Sequence, residues 1–293
     1  MNKSLLIFRT VKGYVNEAIN TLLNSKEKFE TFQSFYDDVL INLKEDHSSQ
    51  IHINDTQISD YGIIYFFGPS KNPELTLVIA SYLKTNKIRF IDTSASIGLR
   101  GGKLLQMLLC NSSSIPIPQT IFCAKEIIEK HFDKIKAELG FPFIMKSTSG
   151  GLGEEVFLID SLSKVLEVYA NFPDLLFIFQ RFVPNSFDYR IMVFGGIPKV
   201  VVKRTRSSKS EFRNNVAQGA TKEIVDIKSI NPELLEIASQ CSKVLERNIA
   251  GVDIVLEEGT NKPYVLEVNP APGFNSEIQL AEFRNYISLL LNE

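Results

Sequence analysis

The sequence is poor in the residues that hold soft metals or perform thiol chemistry, since its 293 residues include only three cysteines and three histidines. Cys110, Cys123 and Cys241 lie far apart and form no Cys-x-x-Cys pair, which predicts reduced thiols in the core of a cytoplasmic protein. The histidines fit neither a zinc motif nor a catalytic triad built around a Gly-x-Ser-x-Gly elbow. These absences argue against a zinc site and against a serine hydrolase.

The sequence also lacks long apolar runs and an excess of charge of one sign. The apolar stretch 5–8 before Arg9 is too short for a signal peptide, and no other run is long enough to span a bilayer. The net charge is −2 and the hydrophobic content is 44%, enough for a substantial core. We therefore expect a soluble protein with neither membrane nor nucleic acid as a partner. The sequence leaves open whether the chain forms a homo-oligomer.

Three oxygen-bearing side chains interrupt two apolar segments near the C-terminus: Asp253 in the first, Glu267 and Asn269 in the second. Because successive strand side chains point to opposite faces, Glu267 and Asn269 share one face and Leu266 lies on the other. Turn residues between the segments predict a hairpin that brings Asp253 alongside. Two carboxylates and an amide oxygen suit a hard cation such as Mg²⁺. An exposed polar face is the alternative.

A glycine-rich loop follows a short apolar run in the middle of the chain. The run 143–146 ends in Lys146, and three glycines lie within residues 147–153. Glycines let backbone N–H groups approach an anion closely, and the lysine adds a positive charge. The next run, 156–159, is typical of a strand, which excludes the strand-loop-helix context of a Walker loop or a Rossmann fingerprint. The unit is thus a phosphate-binding loop between two strands, or only a turn.

Five segments, in this order along the chain, resemble motifs of the ATP-grasp superfamily, and most closely those of its RimK-type carboxylate–amine ligases. The resemblance runs from about Lys103 to the end of the chain. It implies an α/β ATP-grasp fold preceded by an N-terminal pre-ATP-grasp α/β domain. It also implies ATP and Mg²⁺ as cofactors, with Mn²⁺ as an alternative to Mg²⁺. The segments are 142–153, 177–183, 188–190, 211–219 and the hairpin between 251 and 273.

The resemblance implies roles for single residues. Lys146 resembles the lysine at the α/β-phosphates, and Lys103, at a matching distance before segment 118–120, resembles an earlier ATP lysine. Arg213 and Lys146 are the implied catalytic groups, because phosphoryl transfer depends on positioning and charge neutralisation. The implied nucleotide contacts are Lys103, Lys146, Gln180, Arg181, Phe182, Val183, Asp188, Arg213, Asn214 and Asn215, and the implied metal ligands are Asp253, Glu267 and Asn269.

Two positions depart from the family pattern. Arg181 stands in the inter-lobe strand where the family has Glu, and Gly102 precedes Lys103 where an Asp is usual. Neither change removes a phosphate or metal contact. Both concern the ribose pocket and the hinge between domains.

The first third of the chain predicts a separate α/β lobe. Runs at 5–8, 63–67 and 88–91 predict strands, and apolar residues at helical spacing within 75–83 predict a helix between them. This alternation predicts a small parallel sheet, while residues 44–50 predict a polar loop. The predicted domains are an N-terminal α/β domain over 1–112, a central ATP-grasp subdomain over 113–183 and a C-terminal ATP-grasp subdomain over 184–293.

Residues 203–210 form the densest basic stretch of the sequence. A nucleic-acid surface is disfavoured, because no aromatic residues are interleaved and the chain is slightly acidic. The stretch is either an ordinary solvated loop or a mobile loop that closes over triphosphate. In the second case it carries Arg204 or Arg206 to a substrate carboxylate, which arginine binds bidentately. Arg190 is a further candidate for substrate binding.

The resemblance implies a ligase that moves the γ-phosphoryl group of ATP onto a carboxylate and lets an amine displace phosphate from the acyl phosphate. Its implied partners are carboxylate and amine substrates, such as amino acids, peptides or small metabolites. A close variant is a macrocyclase that makes side-chain ester or amide links in a ribosomally made peptide. The superfamily also includes small-molecule kinases and synapsin-like ATP binders, so the fold alone does not settle the chemistry.

Overall fold

The computed structural model describes residues 4–9, 19–21, 29–67, 73–98, 102–149, 155–208, 213–214, 219–274 and 276–292, and every structural statement concerns these residues. The strands are β1 Ser4–Arg9, β2 Glu30–Phe35, β3 Val39–Leu43, β4 Ser49–Ile53, β5 Thr56–Gln57, β6 Ile63–Phe66, β7 Phe90–Ile91, β8 Thr120–Phe122, β9 Phe143–Ser147, β10 Val156–Ile159, β11 Phe177–Arg181, β12 Phe187–Phe194, β13 Ile197–Thr205, β14 Thr221–Val225, β15 Ile249–Leu256 and β16 Pro263–Asn269. The helices are α1 Pro73–Thr85, α2 Lys103–Ser112, α3 Ile128–Leu139, α4 Leu162–Asn171, α5 Pro232–Val244 and α6 Glu277–Asn292.

The N-terminal lobe contains the parallel sheet that the sequence predicts, with strand order β2-β1-β6-β7. All six residues of β1 are buried, as expected for a parallel strand covered on both faces. The sequence did not predict a second, antiparallel sheet of order β3-β4-β5. The polar loop expected over 44–50 therefore ends earlier, because Ser49 and Gln50 already belong to β4.

The central sheet has the order β10-β9-β11-β8, with antiparallel neighbours throughout. One face packs against α3 and α4 through a buried cluster that includes Phe143 and Phe179 from the strands and Phe132 from α3. Strand residues alternate between faces, so Ile144 and Lys146 of β9 point away from that cluster. The second face of this sheet is thereby left for the cleft towards the C-terminal sheet.

The C-terminal sheet is antiparallel with order β14-β13-β12-β15-β16. Helix α5 packs on one face, and a second buried cluster joins α6 to β12, β13 and the N-terminal sheet. Cys110, Cys123 and Cys241 are free and buried, which confirms the prediction of core thiols. Among the helices of the described ranges, none is both long and apolar enough to cross a bilayer.

Candidate functional site

A cavity of about 870 Å³, counting its open mouth, lies between the central and C-terminal sheets. Cationic, carboxylate and apolar side chains all line its wall. Among the described residues, Arg190, Arg206 and Asn269 are not on this wall, and Asn215 lies outside the described residues. The wall consists of Lys103, Ile144, Lys146, Ser149, Glu155, Val156, Gln180, Arg181, Phe182, Val183, Asn185, Asp188, Arg204, Arg213, Asn214, Asp253, Leu266 and Glu267.

The hairpin of β15 and β16 brings the predicted metal ligands together. Asp253 is the cross-strand partner of Glu267, and a β-bulge beside this pair leaves Leu266 without a partner. The sequence predicts Leu266 and Glu267 on opposite faces of the strand. The bulge breaks this alternation, and both residues line the cavity. The backbone oxygen of Leu266 instead accepts a 2.9 Å hydrogen bond from Nζ of Lys146. The bulge thus ties the C-terminal sheet to the lysine of the central sheet.

Two aspartates and two arginines of neighbouring strands form an ion network, here named the arginine–aspartate quartet: Asp188, Arg190, Arg204 and Asp253. Arg190 binds Asp253 through Nε and Nη2 at 2.7 and 2.8 Å. Arg204 binds Asp188 with two contacts of 2.6 Å, and its Nη2 lies 3.0 Å from Oδ2 of Asp253. Each bidentate pair is a directly opposed cross-strand pair of the sheet. The quartet is therefore fixed by strand register.

Burial and ion pairing compete in setting the charge of the quartet. Burial raises the pKa of Asp188 to about 6, against the opposing effect of Arg204. Burial also acts to raise the pKa of Asp253, but Arg190 and Arg204 outweigh it and hold that pKa below its ordinary value. For Arg204, burial is outweighed by the two aspartates, which raise its pKa. Asp188, Asp253 and Arg204 are consequently charged at neutral pH.

The position of Arg204 corrects the interpretation of residues 203–210 as a loop. Lys203, Arg204 and Thr205 belong to β13, which lies between β12 and β14. Arg204 is only 5% exposed. Arg206 follows the strand and is half-buried, and residues 209 and 210 lie outside the described residues.

Two buried lysines from different elements line the cavity near Glu267. Lys146 is 6% exposed, and burial lowers its pKa to about 8, partly offset by Glu267. Lys103 begins α2 and is 7% exposed, with its Nζ 3.5 Å from Oε1 of Glu267. Lys146 is therefore still mostly an ammonium ion at pH 7. Both lysines add positive charge where the sequence predicts phosphate binding.

The structure explains why glycine replaces the family's aspartate before Lys103. The backbone N–H of Lys103 donates a 2.7 Å hydrogen bond to the carbonyl oxygen of Thr148. A Cβ atom on Gly102 would lie 2.4 Å from that same oxygen. Because the obstacle is backbone, a side chain at this position would push α2 away from β9.

The other departure, Arg181, has its own partners at the edge of the cavity. Its Nη1 donates a 2.5 Å hydrogen bond to Glu257, and its guanidinium lies 4.9 Å from the centre of the Tyr264 ring. An ion pair and a cation–π contact therefore hold the side chain against the C-terminal sheet.

The hairpin residues fit a hard divalent cation. Asp253 and Glu267 are cross-strand partners, and Nδ2 of Asn269 lies 3.5 Å from Oδ2 of Asp253, so turning the amide presents its oxygen instead. Among the described residues no cluster of three His, Cys, Asp or Glu side chains can hold a metal, so a third protein ligand here would have to be the amide oxygen of Asn269. Both oxygens of Asp253 accept guanidinium N–H bonds, so a cation held there would share this carboxylate with arginine.

The apolar part of the wall includes residues that the sequence interpretation missed. Ile144 is the cross-strand partner of Gln180. Leu266, in the C-terminal sheet, lines the same cavity. The sequence contained a signal for Ile144: it lies two residues before Lys146, and strand residues two apart point to the same face. Asn214 donates a 2.7 Å hydrogen bond to Asn185, a contact between distant segments that no local pattern indicates. The missed wall residues are Ile144, Ser149, Glu155, Val156, Asn185 and Leu266.

Comparison with known proteins agrees with this geometry. A family model of the RimK-like ATP-grasp domain matches residues 101–282. A "Probable alpha-L-glutamate ligase" of Methanococcoides burtonii is 27% identical over 235 residues, which cover 78% of this chain and 74% of the relative. One of Syntrophotalea carbinolica is 28% identical over 229 residues, covering 76% and 73%.

Solved structures show the same fold at low sequence identity. The ATP-grasp ligase PsnB, complexed with minimal precursor, Mg and ADP, superposes with a TM-score of 0.72 at 13% identity, covering 99% of this chain and 97% of PsnB. A D-alanine–D-alanine ligase from Bacillus anthracis complexed with ATP gives a TM-score of 0.67 at 16% identity, covering 99% and 95%. The fold and the site define an ATP-grasp enzyme. Within that class, the chain belongs to the RimK-like ATP-grasp family.

Proposed function

We propose that the protein, an ATP-dependent carboxylate–amine ligase, carries out both steps of its reaction in the cavity between its two sheets. In the first step the γ-phosphoryl group of ATP moves to a substrate carboxylate; in the second an amine displaces phosphate from the acyl phosphate. Phosphorylation is needed because the oxide of a carboxylate is a poor leaving group. The carrying observation is that Lys103, Lys146 and Arg213 share one cavity with Asp253 and Glu267.

The chemistry of the wall supports one direction for the nucleotide. Ile144 and Val183 make the apolar part suited to a base, whereas Lys103 and Lys146 make the cationic part suited to phosphates. In this placement the inter-lobe segment 180–183 lies at the base. Asp188 is less accessible to the ribose than the family pattern implies, because it is 3% exposed and bound by Arg204.

Asp253, Glu267 and Asn269 would hold Mg²⁺, and Mn²⁺ shares the preference for these oxygen ligands. When bound, the ion supplies neutralisation of the charge on the phosphates. Lys146 and Arg213 act on the same charge from the protein side, as positioned cations that need no rearrangement during phosphoryl transfer.

Arg204 is the arginine best placed to meet a substrate carboxylate. It lines the cavity, and within the described part of the chain its Nε and Nη2 bind aspartates while its Nη1 makes no hydrogen bond. Nη1 can therefore donate to a substrate without breaking the quartet. Arg190 and Arg206 lie off the cavity wall, and their proposed part is to support this region.

The substrate class is a second level of the proposal. Relatives named as α-L-glutamate ligases support an amino acid or peptide as the carboxylate and amine pair. A peptide macrocyclase is the second candidate, because the likeness to the macrocyclase MdnC, bound with a precursor peptide, covers 99% of this chain and 100% of that chain at 14% identity. Free, buried cysteines support a cytoplasmic setting for either reaction.

Release of ADP under controlled substrate supply tests this function. We expect ADP from ATP and Mg²⁺ only when a carboxylate and an amine are both present, with L-glutamate and short peptides as the first pair and mass spectrometry of the product. A macrocyclase would instead remove one water per link from a single peptide. ADP release that needs an acceptor hydroxyl but neither a carboxylate nor an amine would contradict the ligase chemistry and indicate a kinase.

A further inference from the structure

The side chain of Gln180 is held by two groups on its own side of the cleft. Its Nε2 lies 2.9 Å from Oγ1 of Thr120 and 3.6 Å from the sulfur of Met107. Thr120 is the directly opposed cross-strand partner of Gln180, which accounts for the short distance. Gln180 is 2% exposed and Met107 is 1% exposed, so the amide has little freedom to find other partners.

Hydrogen-bond chemistry decides which end of the Gln180 amide faces Thr120. The threonine hydroxyl lies 2.8 Å from the carbonyl oxygen of Pro118, which can only accept, so the hydroxyl donates its one proton there. Towards Gln180 the hydroxyl can then only accept. The thioether sulfur of Met107 also only accepts. Two independent acceptors therefore both require the NH₂ group of Gln180 on this side.

The opposite end of the amide is the oxygen Oε1, and it faces the cavity. Gln180 lines the cavity wall beside Ile144, its cross-strand partner in the central sheet. Within the described residues, Oε1 accepts no hydrogen bond and is not among the buried atoms without a partner. The base end of the cavity thus presents a fixed oxygen that can accept a hydrogen bond but cannot donate one.

We infer that Thr120 is a positioning residue that selects adenine over guanine by fixing the amide orientation of Gln180. The inference deepens the proposed function and rests on it. Adenine carries an exocyclic amino group, a donor, where guanine carries an oxygen, an acceptor. With Oε1 held towards the base, adenine gains a hydrogen bond and guanine brings two acceptors together. If the amide could turn, its NH₂ group would suit guanine instead.

Calorimetry of the protein with ADP and with GDP, in the presence of Mg²⁺, tests the inference. We expect the wild type to prefer ADP on the order of 10²-fold, the discrimination that one buried hydrogen bond made or left unmade provides. Thr120→Val keeps the shape of the side chain but removes the hydroxyl, and we expect the preference to fall about tenfold. Thr120→Ser keeps the hydroxyl and should therefore keep the wild-type preference within about twofold.

The outcomes separate this inference from the proposed function. A wild type that binds ADP and GDP equally, or a folded Thr120→Val variant that keeps the full preference, overturns the role of Thr120. A wild type that binds neither nucleotide overturns the proposed function as well. If Thr120→Val does not fold, Thr120→Ala decides, because it also removes the hydroxyl that holds the Gln180 amide. That variant should show the same fall in preference, and retention of the full preference would overturn the inference.

Discussion

The two charged regions of the cavity differ in how completely the protein pairs its own charges. In the arginine–aspartate quartet the contacts measure 2.6–3.0 Å, and the side chain of Asp253 is 7% exposed. In the second region Lys103 lies 3.5 Å from Glu267, whose side chain is 25% exposed. In the first region each carboxylate already has an arginine partner within the protein. The second keeps charges that a nucleotide and its cation can pair.

The difference follows from where the residues come from. Strand register within one sheet sets the quartet, since its two bidentate pairs are cross-strand neighbours. The second region combines Lys103 of α2, Lys146 of the central sheet and Glu267 of the C-terminal sheet. Its geometry depends on how separate parts of the fold meet. We therefore expect mutations in the quartet to lower stability, in addition to any effect on the ligand contacts proposed for Arg204 and Asp253, and mutations in the second region to act on ligand binding alone.

The largest effect should come from removing the arginine shared by both aspartates. Arg204→Met leaves Asp188 without its bidentate partner and Asp253 with one arginine. Breaking a buried ion pair in this way typically costs about 3–5 kcal/mol. We expect a clearly lowered thermal melting temperature. Lys164→Met is the matched control, because Lys164 pairs with Glu167 on an exposed helix face and should cost no more than about 1 kcal/mol.

Neutralising Asp188, the aspartate that loses its bidentate partner, sharpens this test. In the double variant Arg204→Met/Asp188→Asn no charged carboxylate is left buried at that position, so the melting temperature should partly recover. A single variant that melts like the wild type would show that the quartet does not stabilise the fold.

Glu267→Gln should have the opposite profile. It removes the charge of a proposed metal ligand whose lysine partner lies 3.5 Å away, so its melting temperature should stay close to that of the wild type. Loss of a charge-stabilising group at a phosphoryl-transfer site typically lowers the rate on the order of 10²–10³-fold. The strengthening of ADP binding by Mg²⁺ should also largely disappear in calorimetry. A sharp drop in melting temperature with normal turnover per folded molecule would make Glu267 a structural carboxylate.

A smaller effect should appear as a dependence of nucleotide affinity on pH. Burial lowers the pKa of Lys146 to about 8, so the ammonium ion that we propose for phosphate binding is lost as pH rises through that value. We expect ADP affinity to fall about tenfold between pH 8 and pH 9.5. Stability should not fall for this reason, because between about 8 and 10.5 the unfolded chain binds more protons and the contribution of this group rises with pH. Lys146→Arg keeps its charge and should lack the pH dependence.

The sequence predicted the hairpin well because period-2 alternation and turn residues are local signals. Asp253 and Glu267 are cross-strand partners, as expected. The bulge at Leu266 was not predictable, since an extra residue in one strand leaves no trace in the alternation of polar and apolar residues. The parallel N-terminal sheet was predicted from its apolar runs. The sheet of β3, β4 and β5 was missed because β5 has two residues and Leu40 of β3 is 61% exposed.

The quartet shows the limit of sequence interpretation more clearly. Its residues were each named as candidates, but their pairing depends on the register of β12 against β13 and β15, which no local pattern gives. The available signal was a charged pair after a buried run, since Lys203 and Arg204 follow three valines in β13. Read as a loop, that stretch predicted a free arginine where the structure has a paired one.

The most direct test of a nucleotide site is ADP binding by three proteins, measured by calorimetry with Mg²⁺ at pH 7. The wild type should bind ADP, and Lys146→Ala should bind it well beyond tenfold more weakly, because a cation in a partly desolvated cleft is lost. Lys164→Ala, which removes an exposed lysine on α4, should bind like the wild type. Unchanged binding by a folded Lys146→Ala variant would contradict the assignment of this cavity to the phosphates of ATP.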